Sequence, residues 1–234
     1  MRKFMITAAA VTALGAVGVA QAVTPTTSLK ASASPSKKGT VKKPKNVKLS
    51  VELITQPKAG EPGFATKSTV VHFDKNLVFG SKYLPTCSKT QVQTDNTKCK
   101  KGSGVGSGSA QGVALGLVEN LTVTAYNGPG STLELLVNGN DPLAIHSVIE
   151  GKLVSDSGKF GKKLTVAIPD NLQQPVPGAY ATLTDFKTAV KGTGSKSRPY
   201  VGLKGCTKKT LSFKSDFVFT DGTTSTASTT SKCS

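Results

Sequence analysis

The chain has 234 residues, of which 30 are basic and 13 acidic, so its formal net charge is +17. Such an excess favours anionic partners, but almost all of it is lysine, which lacks the planar fork with which arginine reads base edges. Only 6% of the residues are aromatic and none is tryptophan, which leaves few rings on which bases could stack. These features argue against specific nucleic-acid recognition and favour anionic cell-wall polymers or glycans as partners.

The beginning of the chain has the pattern of a secretory signal peptide, which we assign to residues 1–22. A short basic start precedes an uncharged, apolar run over residues 4–20, and Ala20 and Ala22 supply the small side chains that signal peptidase requires. We expect cleavage after Ala22 rather than a permanent anchor, because glycine and alanine make this run a poor membrane span. No later run is apolar enough to cross a bilayer, so we expect a secreted or cell-envelope protein.

Residues 23–46 differ in composition from the rest of the chain, being rich in Thr, Ser, Ala, Pro and Lys without any acidic side chain. Such a segment has too little apolar surface to offset the chain entropy that folding removes. We expect a disordered linker, which serves either as a solvated spacer or as a cationic tether on an anionic wall polymer.

The following residues have the period of two that is typical of strands with one buried face. Residues 47–53 alternate Val and Leu with Lys, Ser and Glu, and residues 68–73 repeat this pattern. Residues 113–126 are a long β-rich run, which a turn cluster at 127–130 returns into a strand over 132–137. We expect antiparallel pairing throughout this part of the chain.

The second half of the chain continues the same pattern. Residues 145–154 and 163–168 flank a turn-rich segment and predict a hairpin, and residues 179–186 resume the alternation after a proline-rich loop. Residues 211–219 carry Leu or Phe at alternate positions apart from Ser215.

The strand over residues 211–219 is expected to lead into a tight hairpin turn at residues 221–222, whose Asp-Gly sequence suits a two-residue turn, and the Ser/Thr-rich residues 223–230 form the return strand. That turn would place Phe219 opposite Thr224 and Phe217 opposite Thr226.

These strands predict an all-β fold, an antiparallel β-sandwich of the immunoglobulin-like or jelly-roll-like kind, because no window holds a convincing helical stripe. We expect a single domain over residues 47–234. The alternative is two smaller sandwiches that divide near residues 138–140.

Four cysteines, Cys87, Cys99, Cys206 and Cys233, favour disulfides, because an even number in an exported chain is typical of cross-linked folds. Of the three possible pairings we choose the sequence-local one, Cys87 with Cys99 and Cys206 with Cys233. The spacings fit no zinc-ligand pattern, so we expect neither a metal nor a cofactor.

Catalytic motifs are weak. His72 has Asp74 close in sequence, and His146 has Asp141 and Ser147, but neighbours on a strand point to opposite faces, so Ser147 could not transfer its proton to His146. We assign no catalytic residue and expect no enzyme. A glycine-rich stretch after the second cysteine lacks the ending of a phosphate-binding loop and is interpreted as a flexible connector or a glycine-rich strand start.

Two tracts near the first cysteine pair, residues 84–87 and 99–110, resemble secreted β-rich proteins of actinobacteria, in which a Pro-x-Cys-like step leads to Cys-Pro-x-Gly-Ser-x-Val-Gly-x-Gly. Lys100 stands where that pattern has proline. The chain is similar to the same group over three further tracts, residues 125–128, 163–169 and 217–223. The resemblance implies secretion and β structure and carries no activity or site residue.

We therefore expect a non-catalytic envelope or extracellular protein, a binding or structural module held near anionic cell-wall polymers by its lysines. The alternative is a secreted carbohydrate-active hydrolase, which needs two carboxylates facing across a cleft, although the 13 acidic residues are scattered along the chain. A third interpretation is a carrier of a small apolar ligand, which requires an open cavity between the sheets.

Overall fold

The computed structural model describes residues 24–56, 64–191 and 198–234. The predicted signal peptide lies outside these residues.

The described residues form fourteen strands and two short α-helices. Three single 3-10 turns accompany them, at Ser81–Tyr83, Asn96–Lys98 and Pro129–Ser131. The helices are α1 (Lys89–Asp95) and α2 (Asp170–Gln173). The strands are β1 (Thr26–Ser34), β2 (Lys45–Asn46), β3 (Lys48–Gln56), β4 (Thr66–Asp74), β5 (Leu77–Phe79), β6 (Gly104–Ala114), β7 (Leu117–Asn127), β8 (Thr132–Gly139), β9 (Ile145–Ser155), β10 (Phe160–Ala167), β11 (Thr182–Val190), β12 (Val201–Leu203), β13 (Thr210–Phe219) and β14 (Thr224–Lys232).

Eleven strands form one sheet in the order β1-β3-β11-β6-β7-β8-β9-β10-β4-β13-β14. Every neighbouring pair in this sheet is antiparallel. The sheet curls until its two edge strands meet, where the side-chain oxygens of Thr27 on β1 and Ser225 on β14 lie 2.7 Å apart. The result is a nearly closed barrel.

The predicted all-β antiparallel class is confirmed, and the facing layers are opposite walls of this one curled sheet. Its period-two strands form as expected because each buries one face inside the barrel. Residues 138–140, the division point of the two-sandwich alternative, lie at the end of β8, which pairs with β9 in the same sheet.

The segment over residues 23–46 differs from the expected disordered linker, because Thr26–Ser34 forms strand β1 and pairs along its whole length with β3. Leu29 and Ala33, which are four residues apart on the same face of this strand, are buried. Two apolar side chains therefore suffice to hold a polar strand when the neighbouring strand supplies the backbone partners, an effect that composition alone does not reveal.

The barrel has two different ends. At one end, which we call the closed end, a three-stranded sheet of β2, β12 and β5 packs across the opening. This small sheet packs on the core of the barrel through the buried Leu77 and Leu203. Val47 also donates its backbone N–H to the oxygen of Val201 at 3.1 Å. At the other end, which we call the mouth, strands are joined by the loops at 115–116, 140–144, 168–181 and 220–223.

Both predicted disulfides are present. Cys87 pairs with Cys99 and encloses α1, whereas Cys206 pairs with Cys233 and joins the segment before β13 to the end of β14. The second bridge closes a hairpin whose strands already run side by side. Both bridges therefore constrain loops near the closed end.

The β13–β14 hairpin has a register one residue away from the predicted one. Val218 faces Thr224 and Phe217 faces Ser225, because the loop holds three residues rather than two. Phe219 donates its N–H to the oxygen of Thr223 at 2.9 Å, and Gly222 adopts a φ of 84°. A three-residue loop ending in a left-handed glycine is a common hairpin alternative.

Helix α1 lies against the outer wall formed by β8 and β9, although the sequence predicts no helix. The hydroxyl of Ser88 caps it by accepting the N–H of Gln91, and Val92 is buried in a small cluster with Leu136 and Val148. One buried residue gives no apolar stripe, which is why the periodicity does not reveal this helix.

Candidate functional site

The inward faces of the strands enclose an apolar cavity of about 180 Å³. Alternation on β3, β7, β8, β9 and β10 directs leucine, isoleucine and valine into it. The half of the barrel near β14 is filled instead, because the buried Leu211, Phe213, Phe217 and Phe219 of β13 occupy it. The cavity is lined in part by Leu53, Leu121, Leu135, Ile149, Val166 and Phe186.

The cavity opens at the mouth, where its lining becomes exposed. Leu115 is 74% exposed and Leu117 is 56% exposed, and both line the cavity together with Leu143 and Val176. At the closed end, by contrast, the lining residue Tyr200 is buried. A ligand would therefore enter between the β6–β7 turn and the loops that follow β8 and β10.

The tip of the β6–β7 hairpin has an unusual backbone. Leu115 has a φ of 52° and Gly116 a φ of 77°, the pair of left-handed residues found in tight two-residue hairpin turns. Asn, Asp and Gly usually occupy the first of these positions, and a bulky residue there is a sterically costly exception. The turn therefore holds an exposed leucine at the mouth at some cost to the backbone.

One carboxyl group lies in this apolar wall. Glu119 follows the inward parity of Leu121 and Val123 on β7, lines the cavity and is 6% exposed. Its Oε2 accepts the backbone N–H of Leu143 at 2.9 Å, whereas its Oε1 is buried and has no hydrogen-bond partner among the described residues. Glu119 is thus a half-satisfied acceptor one step below the rim.

Gly139 on β8 makes room for this carboxyl. A Cβ at position 139 would collide with Oε1 of Glu119 and with the side chain of Leu121. The space that Oε1 occupies therefore depends on the absence of a side chain at this point of the neighbouring strand.

The other polar groups of the lining differ from Glu119. Thr69 bonds to the hydroxyl of Ser215 and to the backbone oxygen of Asp216, both at 3.1 Å. Gln173 donates its Nε2 to the backbone oxygen of Ile168 at 2.6 Å. Thr188 has an unpartnered buried hydroxyl, but a hydroxyl is neutral and both donates and accepts. Glu119 is the one carboxyl in the described lining.

The hydrolase alternative needs a second carboxyl across a cleft. Glu134 and Glu150 face each other in register on β8 and β9, but Glu134 is buried in the outer wall behind α1. Burial raises the pKa of Glu134, an effect that the hydroxyl of Thr132 opposes by donating to it at 2.6 Å. Glu61, in the β3–β4 connection, lies outside the described residues.

His72 lies on the outer wall, between carboxylates that the sequence does not pair with it. Its Nδ1 is 2.5 Å from Oδ2 of Asp156 and its Nε2 is 3.0 Å from Oδ2 of Asp216. Asp74, its neighbour in sequence, instead accepts the backbone N–H groups of Asn76 and Ser212, each at 2.9 Å. His72 therefore bridges β4, β13 and the β9–β10 turn.

The two carboxylates bound to His72 have lowered pKa values. For both, burial acts to raise the pKa, but hydrogen bonds outweigh it. For Asp156 the donors are His72 and the N–H of Ser157, and for Asp216 they are Lys214, Thr226 and His72. This cluster consists of charge-assisted hydrogen bonds on the outer surface of the strands.

His146 and Ser147 do point to opposite faces, as strand geometry predicts. The imidazole is exposed, with Nδ1 at 2.6 Å from Oδ1 of Asn138 and Nε2 at 2.8 Å from the backbone oxygen of Gln93. Ser147 is buried and lies 3.4 Å from Oδ1 of Asn171. The structure brings neither Asp141 nor Ser147 to His146.

The basic residues are distributed unevenly. Most of those described lie at the closed end, where Lys38 donates its N–H to the oxygen of Ser234 at 2.6 Å and Lys75 donates to Lys159 at 3.1 Å. Of the described acids there, Asp74 and Glu134 are buried and Asp156 is paired with His72, whereas Glu150, opposite Glu134 on β9, is exposed. The basic segments are residues 37–48, 75–82, 100–101 and 204–209, with Lys159, Lys191, Arg198 and Lys232.

The mouth has a different balance. On the described strand ends and loops there, Lys67 is the one lysine, and Asp141, Asp170 and Asp221 are acidic. The two ends of the barrel therefore differ in the sign of their charged side chains as well as in their apolar surface.

Comparison of the chain with protein-family models, with curated proteins and with solved structures gave no match. Within the described residues, no three His, Cys, Asp or Glu side chains group in a way that could hold a metal ion. The helices described here are also too short or too polar to traverse a lipid bilayer.

Sequence reasoning missed the mouth and Glu119. The sequence predicts one β-rich stretch over residues 113–126. In the structure this stretch holds the end of β6, the turn at residues 115–116 and most of β7. The signal for Glu119 was present, because it shares the parity of Leu121 and Val123 and so had to face the barrel interior. The glycine-rich strand start is confirmed, since β6 begins at Gly104.

Proposed function

We propose that this protein is a non-catalytic extracellular binding module that holds a small apolar molecule inside its barrel. The observation that carries the proposal is the apolar cavity of about 180 Å³, whose apolar lining continues into the exposed leucines of the mouth. Ligand sites are concave, mostly apolar and equipped with a few polar groups, and this cavity has that composition. Two disulfides support the extracellular setting.

The exposed leucines at the mouth support the same proposal. Leu115 and Leu117 extend the apolar lining into solvent, and Leu115 does so from a backbone conformation that favours other residues. An apolar ligand would cover part of this surface as it enters, which lowers the cost of exposing it.

The test is a titration with diphenylhexatriene, a rod-shaped hydrocarbon whose fluorescence rises in an apolar environment. We expect saturable binding with one site per chain. Gly112→Leu should weaken binding by at least about tenfold, because Gly112 lines the cavity and the nearest atom to an added Cβ is the oxygen of Thr182 at 3.9 Å, so the side chain fits and fills the space.

Ser109→Leu is the matched control, because it adds the same side chain to the exposed face of the same strand. Equal thermal midpoints for the two variants show that folding is intact. Absence of saturable binding by the unmodified protein, or equal binding by the two variants, would contradict the proposal.

A second function is supported by the charge distribution. We propose that the closed end attaches the protein to a linear anionic polymer of the cell wall through diffuse attraction. Lysine-rich segments surround this end and outnumber its exposed acids, since Asp74 and Glu134 are buried and Asp156 is paired, so the net surface charge there is positive. Hydrated lysine ammonium groups suit such non-specific attraction.

To test this attachment, Lys42, Lys43 and Lys45 are changed together to Gln and compared with a triple variant at Lys30, Lys67 and Lys187. Both variants lose the same charge, but the control lysines lie away from the closed end. We expect retention on isolated cell walls at low salt to fall clearly more for the first variant. Retention should also fall as salt rises, because exposed charges are screened over about 3 Å at 1 M and 10 Å at 0.1 M.

Equal losses for the two triple variants would show that net charge, and not the closed end, governs retention. Salt-independent retention would remove the electrostatic attachment altogether.

A further inference from the structure

We propose that the ligand carries an amine at one end, which binds Glu119 at the mouth while the apolar remainder lies in the barrel. This inference rests on the proposed function and specifies the chemical class of the ligand. Its starting point is the unpartnered Oε1 of Glu119, in a side chain that is 6% exposed and lines the cavity.

The position of this carboxyl defines where the head group lies. On β7 the inward-facing residues run from Leu117 at the rim through Glu119 to Leu121 and Val123 in the interior. A donor that reaches Oε1 therefore sits just inside the mouth, and the rest of the molecule can extend along the apolar wall toward the closed end. The ligand is amphipathic, with a single polar end.

The hydrogen bonding of Glu119 leaves one of its two oxygens free to accept from a donor. Oε2 is held by the N–H of Leu143 at 2.9 Å, which fixes the carboxyl, and Gly139 leaves the volume that Oε1 occupies. A buried acceptor without a partner costs free energy, and a ligand that supplies a donor removes that cost.

Charge selects an amine over a neutral donor. Carboxylates Asp141 and Asp170 lie on the loops that form the mouth, and Lys67 is the lysine of the described strand ends there. The lysines of the closed end are remote, since Glu119 lies eight residues from the end of β7 at Asn127, about 26 Å or roughly three Debye lengths at physiological salt. An ammonium group therefore meets a field of opposite sign, and a carboxylate meets one of the same sign.

The experiment compares three ligands of equal chain length, dodecylamine, dodecanol and dodecanoic acid, as competitors of bound diphenylhexatriene below their micellar concentrations. For the unmodified protein we expect the amine to bind about tenfold tighter than the alcohol, and the acid to bind most weakly. Glu119→Gln and Glu119→Leu should each reduce the advantage of the amine over the alcohol to about twofold or less.

Asp221→Asn is the matched control, because it removes an exposed carboxylate of the same mouth whose Oδ1 accepts from Thr223 and makes no contact with Glu119. It should keep most of the preference for the amine. Binding of diphenylhexatriene should persist in all three variants, which shows that the barrel is folded and its cavity intact.

The outcomes separate the two proposals. If diphenylhexatriene binds but the amine has no advantage, or keeps its advantage in both Glu119 variants, the head-group assignment is overturned while the apolar cavity stands. If neither diphenylhexatriene nor any of the three chains binds, the proposed function itself fails.

Discussion

Glu119 and Gly139 act as a pair within an otherwise apolar wall. The carboxyl of Glu119 lies one step below the rim, and the missing side chain at Gly139 provides the volume for its Oε1. The one described hydrogen-bond partner of this carboxyl is the backbone N–H of Leu143. If the barrel binds a ligand as we propose, these two residues on adjacent strands decide whether it also recognises a polar end.

His72 connects neighbouring segments of the outer wall. Its two ring nitrogens reach Asp156 in the β9–β10 turn and Asp216 on β13, so one side chain joins three neighbouring segments of the outer wall. The ring also packs against Phe160, with centroids 5.3 Å apart. These contacts lie on the face of the sheet opposite to the cavity.

This cluster predicts how stability depends on pH. The pKa of Asp216 lies below its ordinary value of 3.8 in the folded protein, so its ionised form contributes stability that is present above that value and is lost as pH falls through the lowered pKa. We expect Asp216→Asn to lose less free energy of unfolding between about pH 5 and pH 3 than the unmodified protein does.

Urea unfolding at both pH values measures this difference, with Asp141→Asn, in an exposed loop, as the control. The same acid-induced loss in Asp216→Asn and in the unmodified protein would show that the hydrogen bonds to Asp216 do not contribute to folding.

At the scale of elements, the strands were predictable because period-two alternation is a direct consequence of burying one face. The pairing of Cys87 with Cys99 and of Cys206 with Cys233 was also predictable, since each bridge joins segments close in sequence. Strand β1 was not, because its stability comes from backbone pairing with β3 and from only two buried apolar side chains, Leu29 and Ala33.

Turns were less predictable than strands. The tip of the β6–β7 hairpin holds Leu115 in a left-handed conformation that its side chain does not favour, so the sequence there contains only the glycine of the usual signal. At the β13–β14 hairpin the Asp-Gly signal was correct, but loop length set the register, and three residues rather than two shifted every partner by one.

The cavity could not be predicted from alternation. The same inward-facing leucines and valines fill a barrel or leave it hollow, depending on the number and curvature of the strands, which the sequence of one strand does not contain. In this protein the aromatic row of β13 fills one side, and the smaller side chains of the opposite wall leave space. Only the inward direction of Glu119 was available in advance.

At the scale of the whole molecule, the two ends of the barrel axis have different features. One end combines the lysine-rich segments, the small covering sheet and both disulfides, and the other combines exposed leucines with the mouth of the cavity. If the closed end attaches to an anionic polymer, as we propose, the mouth faces away from it. Attachment and ligand uptake could then operate on separate surfaces without interfering.

The central claim is that the barrel encloses an accessible apolar space, and xenon tests it most directly because it enters apolar cavities of this size without needing any polar contact. In methyl NMR under xenon pressure, we predict shifts confined to inward-facing groups such as those of Leu121, Leu135 and Ile149, and their loss in Gly112→Leu. Unchanged interior methyl signals in the unmodified protein, with or without shifts at its surface, would contradict the account.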